Sequence, residues 1–396
     1  MHRTMSLQRL VAGVYGDDPH QFEPRIQDIV DRIFLDADGL LIGAVKASTL
    51  RPYTHADMRG VPLEQTLGAS ASIPHGYKLL IMNYEETGMA HGDYLMAMLE
   101  RCKATGDSGA RQRARSAFAA IRRLADTVAA TNPYGRGWWP KPYGGMHDLN
   151  EMFETSIDQT VKIALAIAQY EREMATAAER RWCRMQVRAM ADWWIKHHYT
   201  TGYFGNCCWW YLHQYAHSAA GLLYLVRQGM AYTPGPAPRP MAAAWEFLLE
   251  GAARRLRGVG DRVNTGNLAI ECVRRLDELA PEQRRLWRRT CAAMMRASVD
   301  AIDPATGTVL VAGYGRYNVG LRAACSAAVA DEWGGRRRYA DFAWRILKLY
   351  NRQAMFYHHD QTHKPRQHNR VNWWFDAVSG HHYASWLLAY WRLLRA

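Results

Sequence analysis

The sequence predicts an all-α chain, an (α/α)6 toroid of helical hairpins with an irregular N-terminal segment. Three observations predict it. Apolar residues recur at helical spacing through most of the 396 residues. The helical stretches alternate in character, some rich in small and apolar residues and others striped with Arg and Glu, as inner and outer helices should be. The loops leading into the apolar members are long and laden with aromatic and polar residues, whereas a bundle would join its helices by short, equivalent turns.

Residues of about 25–35 carry Ile26, Ile29, Val30 and Ile33 at helical spacing, and this helix is expected to close the circle. From Asp36 to about Glu86 the pattern turns irregular, with Asp36-Ala37-Asp38-Gly39 as a turn, Leu40 to Val45 as a brief strand, and Pro52, Pro62 and Pro74 in extended loop. Residues 1–88 show no core of their own and are expected to pack on the toroid that 89–396 would form, a single domain overall. Helical patterns then run over about 89–102, 110–131, 150–174, 177–198, 207–229, 239–257, 264–280, 281–300, 318–333, 335–354 and 376–395. The inner members start near 89, 150, 207, 264, 318 and 376, contain runs such as Ala164 to Ala168 and Gly221-Leu222-Leu223, and recur about every 55 to 60 residues.

An apolar fraction of 48 % and 15 Trp suffice for a sizeable core, and 11 % aromatic residues exceeds what packing alone asks for, which points to a planar or carbohydrate ligand. A formal net charge of +13 favours anionic partners. The Arg runs at 111–115, 284–289 and 336–338 read as solvated helix faces, and no nucleic-acid-binding signature accompanies them, so nucleic acid is not an expected partner. Seven Cys is an odd number, and five of them fall within helical patterns. This argues against a disulfide framework and for a cytoplasmic setting, or a periplasmic or secreted one had a signal peptide been removed. No apolar run reaches membrane-spanning length, so a membrane is not expected either. The Arg-rich faces neither demand nor exclude an oligomer.

The polar loops are expected to gather at one end, because binding residues collect on loops held by a rigid scaffold. In Arg136 to Asp148, Gly and Pro fix the path while Trp138, Trp139 and Tyr143 offer flat faces beside Lys141 and His147, a platform for stacking on a sugar. Glu151, Glu154 and Asp158 follow at i, i+3 and i+7 and would share a helix face, as a catalytic carboxylate set or as charges favoured near a helix N-terminus. The stretch from Asn206 to His217 is expected to open a long helix with Trp210, His213 and His217 on one face, either the wall of a wet cavity or satisfied core.

Asn264-Thr265-Gly266-Asn267-Leu268 opens the next inner helix, with Asn as N-cap or ligand and Glu271 one turn on. Gly313 to Gly320 then holds Tyr314, Arg316 and Tyr317 at a helix mouth. The densest loop carries His358, His359, His363, His368, Arg370, Asn372, Trp373, Trp374 and Asp376, with His381 and His382 beyond, and reads as donors and cations facing a polyanion. His359 and His363 have the spacing of a helical metal pair, but Pro365 is close and no His-Glu-x-x-His pattern exists, so no metal is assigned. Glu85 and Glu86, with Tyr84 and His91, complete the set of candidates.

On these residues the chain resembles the α/α-toroid polysaccharide lyases, particularly the helical domain of the chondroitin and hyaluronate lyases. Those enzymes open successive inner helices with Asn-Trp-Trp, with Gly-Asn-Leu, and after a Tyr-containing loop ending Tyr-Gly-Asn-Val. The matching segments are Asn206 with Trp209-Trp210, then Gly266-Asn267-Leu268, then Tyr314 to Val319, in the same order. Cys207 and Cys208 interrupt the first element, Thr308 stands near where a His is expected, and no C-terminal β-sandwich follows. The resemblance therefore implies a toroid-only relative, like the smaller alginate and glucuronan lyases, with its imidazole drawn from His213 or His217.

It also implies β-elimination on a uronate-containing anionic polysaccharide or oligosaccharide. Tyr317 with His213 or His217 would be the acid/base set, Asn206 and Arg316 or Arg370 would neutralise the uronate carboxylate, and no cofactor is required. Trp138, Trp139, Lys141, Tyr143, His147, Trp210, Asn267, Tyr314, His363, His368, Arg370, Asn372, Trp373 and Trp374 would bind substrate. Two alternatives stay open. One is a glycoside hydrolase resembling the unsaturated glucuronyl hydrolases, or an epimerase, using Glu86, Asp148, Glu151, Asp158 or Asp376. The other is a non-catalytic polyanion binder.

Overall fold

The computed structural model describes residues 18–57, 83–84, 86–132, 134–146, 155–203, 207–210, 216–232, 263–305, 307–311, 315–318, 320–335, 337–351 and 377–395. These residues form a predominantly helical structure with little sheet. Its α-helices are α1 (Pro19–Ile29), α2 (Thr87–Thr105), α3 (Ser108–Thr131), α4 (Ile157–Glu173), α5 (Ala177–Lys196), α6 (Ala216–Tyr232), α7 (Val263–Leu279), α8 (Arg284–Ala301), α9 (Gly320–Gly334), α10 (Ala340–Asn351) and α11 (Gly380–Arg395). The short strands are β1 (Ala44–Lys46), β2 (Tyr143–Met146), β3 (Thr200–Tyr203), β4 (Cys207–Trp210), β5 (Thr308–Val311), β6 (Gly315–Asn318) and β7 (Ala377–Ser379).

Composition decides which helices lie inside. Every residue of α2 from Thr87 to Glu100 is buried, as is every residue of α11 from Gly380 to Leu393. A helix covered on all sides belongs to the interior. By contrast, α3 buries Ala110, Ala114, Ala117, Ile121, Leu124 and Val128, spaced by three and four, and turns its Arg residues outward. The covered helices pack in a circuit: α2 on α4, α4 on α6, α6 on α7, α7 on α9, α9 on α11, and α11 back on α2. The striped helices lie outside, with α3 on α2, α5 on α4 and α6, α8 on α7 and α9, α10 on α9 and α11, and α1 on α11 and α10.

Local chemistry sets the turns. Gly106, at φ 70°, ends α2, and the Asp107 side chain accepts the Gly109 N–H at 2.7 Å to start α3, so the chain reverses within two residues. A reciprocal Thr176–Glu179 capping box opens α5. After α1 the helix widens into a π-helical turn, Val30–Phe34, whose Asp31 receives the Tyr94 hydroxyl at 2.9 Å and Arg113 Nε at 2.8 Å. One member of the Arg111–Arg115 run, read from sequence as solvated, thus fastens the N-terminal segment to α3.

Strands pair as β1 with β7, β3 with β4 and β5 with β6, all antiparallel. The last two pairs directly precede α6 and α9, and β7 directly precedes α11. This corrects two expectations. The chain from Cys207 to Trp210 is strand rather than the start of a helix, because Thr200–Tyr203 supplies backbone partners to a run of residues that favour extended structure. Gly315–Asn318 is likewise strand, with Tyr317 opposite Val309. Among the described residues, no helix is long and apolar enough to cross a membrane.

Candidate functional site

The first turns of α2, α4, α9 and α11 meet at one end of the circuit, where Glu86, just before α2, reaches Arg322 on α9 and His381 on α11. Glu86 Oε2 lies 3.0 Å from Arg322 Nη2 and 2.8 Å from His381 Nδ1. Arg322 Nη2 is itself 2.6 Å from His381 Nδ1. That nitrogen therefore faces a donor and an acceptor at once, and the position of its proton decides which of them it engages. On the other side of the ring, His381 Nε2 lies 3.2 Å from Asp93 Oδ2, which also accepts the Ser385 hydroxyl at 2.6 Å.

The chain of charges continues inward. Lys162 Nζ on α4 is 2.7 Å from Asp93 Oδ1 and 3.1 Å from Glu271 Oε1 on α7, and Arg392 Nη1 on α11 is 3.1 Å from the same Glu271 oxygen. Burial opposes the charge on Glu86, but Arg322 and His381 overcome it and hold its carboxyl well below the usual carboxylate range. Burial likewise opposes ionisation of Asp93 and Glu271, yet Lys162 with His381, and Arg392 with Lys162, hold both below it. Three carboxylates thus face Arg322, Lys162 and Arg392, with the His381 ring between Glu86 and Asp93.

At this end of the circuit, among the described residues, Arg322 Nε, Trp139 Nε1, Thr87 Oγ1 and Ser156 Oγ are buried without hydrogen-bond partners. Their residues are between 1 and 7 % exposed. A Cβ added at Gly88 would stand 3.2 Å from Trp139 Nε1 and 2.7 Å from Gln159 Oε1, which places the indole against the start of α2 and α4. Buried donors left unpaired cost about 1–3 kcal/mol each, so their collection beside a helix mouth suits a ligand rich in acceptors.

The sequence-derived candidates divide sharply. Trp138 and Trp139 are each 2 % exposed and belong to the core, which corrects their reading as a solvent-facing stacking platform. Lys141 is buried too. Asp158 lies in the first turn of α4, which begins at Ile157 rather than near 150, and Glu151 and Glu154 lie outside the described residues. His91 is structural: its Nδ1 accepts the Leu41 N–H at 3.2 Å and its Nε2 donates to the Ala117 carbonyl at 2.9 Å.

Tyr143 is on β2, Trp210 on β4, Arg316 and Tyr317 on β6, His217 at the second position of α6 and Asn267 near the start of α7. Trp210 and His217 therefore do not share a helix face. Asn206, His213, Tyr314, His147, Asp148, Glu151, His363, His368, Arg370, Asn372, Trp373, Trp374 and Asp376 lie outside the described residues, as do Glu85, His358 and His359.

Sequence reasoning missed Asp93, Lys162, Arg322 and Arg392. Each sits in an otherwise apolar helical run, as in Val161-Lys162-Ile163 and Leu321-Arg322-Ala323, and a charge there signals a buried, paired group. No family model matches the chain, and no curated protein matches it in sequence.

Proposed function

We propose that the circuit of covered helices is an (α/α)6 toroid and that the protein is a polysaccharide lyase acting on a uronate-containing anionic carbohydrate at the mouth where the inner helices begin. One observation carries the reading. The three segments resembling lyase motifs enter α6, α7 and α9, which pack on one another in succession, and α9 also delivers Arg322 to Glu86 and His381.

In this reading Asn206 and Arg316 neutralise the uronate carboxylate, so that the charge developing on C5 does not form beside another. Tyr317, with His213 or His217, removes the C5 proton. The C5–H electrons become the C4–C5 double bond, the C4–O bond breaks with its electrons on the oxygen, and the same or a neighbouring group of the set returns a proton to that oxygen. The reaction requires no cofactor.

A second reading is hydrolysis, and one feature favours it. Glu86 is held ionised at the mouth, which suits a base that activates water, although it disqualifies Glu86 as the proton-bearing acid. Asp158 would then be a candidate for that acid.

Incubation with a panel of uronate polymers separates the two. Elimination raises absorbance at about 235 nm together with reducing ends, and Tyr317→Phe abolishes both. Reducing ends without the absorbance would replace the lyase by the hydrolase, and binding without either signal would leave a polyanion binder.

A further inference from the structure

The outer helix α8 runs back from the far end of the circuit to the mouth. A single turn, Pro281–Gln283, joins it to the end of α7, and the β5–β6 hairpin that carries Arg316 and Tyr317 follows it. Its charge is one-sided. Within Arg284–Ala301 five arginines stand against one acid, Asp300. Arg284 meets Asp277 of α7 at 3.1 Å. Arg285, Arg288, Arg289 and Arg296 are exposed and have no ion pair among the described residues. Arg285, Arg289 and Arg296 stand at i, i+4 and i+11, one stripe about 16 Å long with Arg288 beside it. On α3 and α5, by contrast, Arg113 is met by Asp31, Arg122 by Asp126, Arg180 and Arg184 by Glu171, and Arg188 by Asp192.

The turn between α9 and α10 extends the stripe with Arg337 and Arg338, both exposed. Burial raises the Tyr339 pKa while the charges of Arg338 and Arg296 both lower it, so the two guanidinium groups lie near one phenol, that of Arg338 at 5.5 Å from its ring. The surplus survives a full count of the charged residues described in 281–305 and 331–348. With Arg284 cancelled by Asp277 and Glu332 by Arg395, eight cations remain against Glu282, Asp300, Asp303, Asp331 and Asp341, an excess of three. Among the described residues, α8 and this turn expose no large apolar or aromatic side chain. A lipid surface would find no anchor there and a nucleobase no stacking partner, whereas a polymer of carboxylates needs neither.

We propose that the outer face of α8, with Arg337 and Arg338, is an auxiliary track that holds an anionic polysaccharide beside the mouth. Guanidinium forks engage carboxylates in pairs, and a stripe that ends near the hairpin of Tyr317 holds one part of a long chain while another part enters the mouth. The choice of ligand rests on the reading of the mouth as a uronate lyase. The track acts through charge rather than sugar identity, so any uronate polymer serves as a probe.

Binding of sodium polygalacturonate to the full chain, followed by biolayer interferometry over a range of sodium chloride concentrations, tests it on the Tyr317→Phe background. Replacing Arg285, Arg288, Arg289 and Arg296 together by Gln should weaken binding about tenfold and make it less sensitive to salt. Replacing Arg111, Arg115, Arg181 and Lys196 together by Gln removes the same charge from exposed positions on α3 and α5 and should change affinity by less than about twofold. Circular dichroism confirms that both variants are folded. Equal weakening by the two sets would mean that net charge alone attracts the polymer and would overturn the proposal, as would tighter binding to duplex DNA at the same salt. Failure of the mouth is distinguishable: binding that depends on α8 without cleavage by the wild-type chain sinks the lyase and leaves the track, whereas cleavage with polymer affinity unaltered by the α8 set sinks the track and leaves the lyase.

Discussion

Lys162 Nζ lies 2.7 Å from Asp93 Oδ1, and both side chains are only 4 % exposed. Glu271 shares the same ammonium. Removing one member of such a buried set leaves the others charged in a medium that solvates them poorly, so Lys162→Met should destabilise the fold by about 3–5 kcal/mol in urea unfolding. Adding Asp93→Asn should recover part of the loss. A change below about 1 kcal/mol would mean that the ion pairs are better solvated than their burial indicates.

His91 predicts how stability depends on pH. Burial lowers its pKa to about 4, against an ordinary value of 6.5, and the Leu41 N–H facing Nδ1 leaves that nitrogen no room for a proton. The unfolded chain therefore binds the proton more readily. This contribution, about 3 kcal/mol, is fully present above pH 6.5 and is lost as pH falls toward about 4. Glu86, Asp93 and Glu271, with depressed folded pKa values, lose their contribution only in more acid solution. Urea titrations from pH 7 to 4 should show the decline, and His91→Gln should flatten it; an unchanged slope in the variant assigns the decline to other groups.

Gly380 begins α11 where it can hold nothing larger. A Cβ there would stand 2.2 Å from the Ile42 carbonyl oxygen and 2.6 Å from Phe34 Cδ1. Gly380→Ala should cost about 3 kcal/mol and displace His381 from Glu86 and Asp93. Gly106, at φ +70° with nothing within 4 Å, is the comparison, since Gly106→Ala meets only backbone strain of about 1–2 kcal/mol. Thermal unfolding of the two variants should rank them in that order.

Thr87→Val separates a binding role from a structural one. Among the described residues the buried Thr87 hydroxyl has no hydrogen-bond partner, so its removal should leave stability unchanged or raise it by about 1 kcal/mol. Affinity for uronate oligosaccharides should nevertheless fall severalfold. Lower stability with unaltered binding would show that the hydroxyl serves the fold alone.

Much of the helical pattern was legible because burial imposes a period of 3.6 on a chain that must cover an apolar face. The small residues of α4, α6 and α9 marked the covered helices. The candidate site was far less legible. Trp138 and Trp139 offer flat faces in a Gly- and Pro-rich loop, but such a loop looks the same in sequence whether its rings face solvent or the core, and here they are 2 % exposed.

The sequence by itself determined the helical class, the alternation of covered and striped helices, and the neutral, apolar company in which Asp93, Lys162 and Arg322 stand. These are local properties, readable from spacing and composition. Only the tertiary structure decided that His381 meets Asp93, 288 positions away in the chain, and that Glu86 meets Arg322, 236 positions away. It also decided that Cys207–Trp210 is strand, because β-pairing depends on a partner and not on the residues alone. Contacts of that kind follow from the way α11 packs back on α2, and no periodicity within either helix encodes the neighbour it will find.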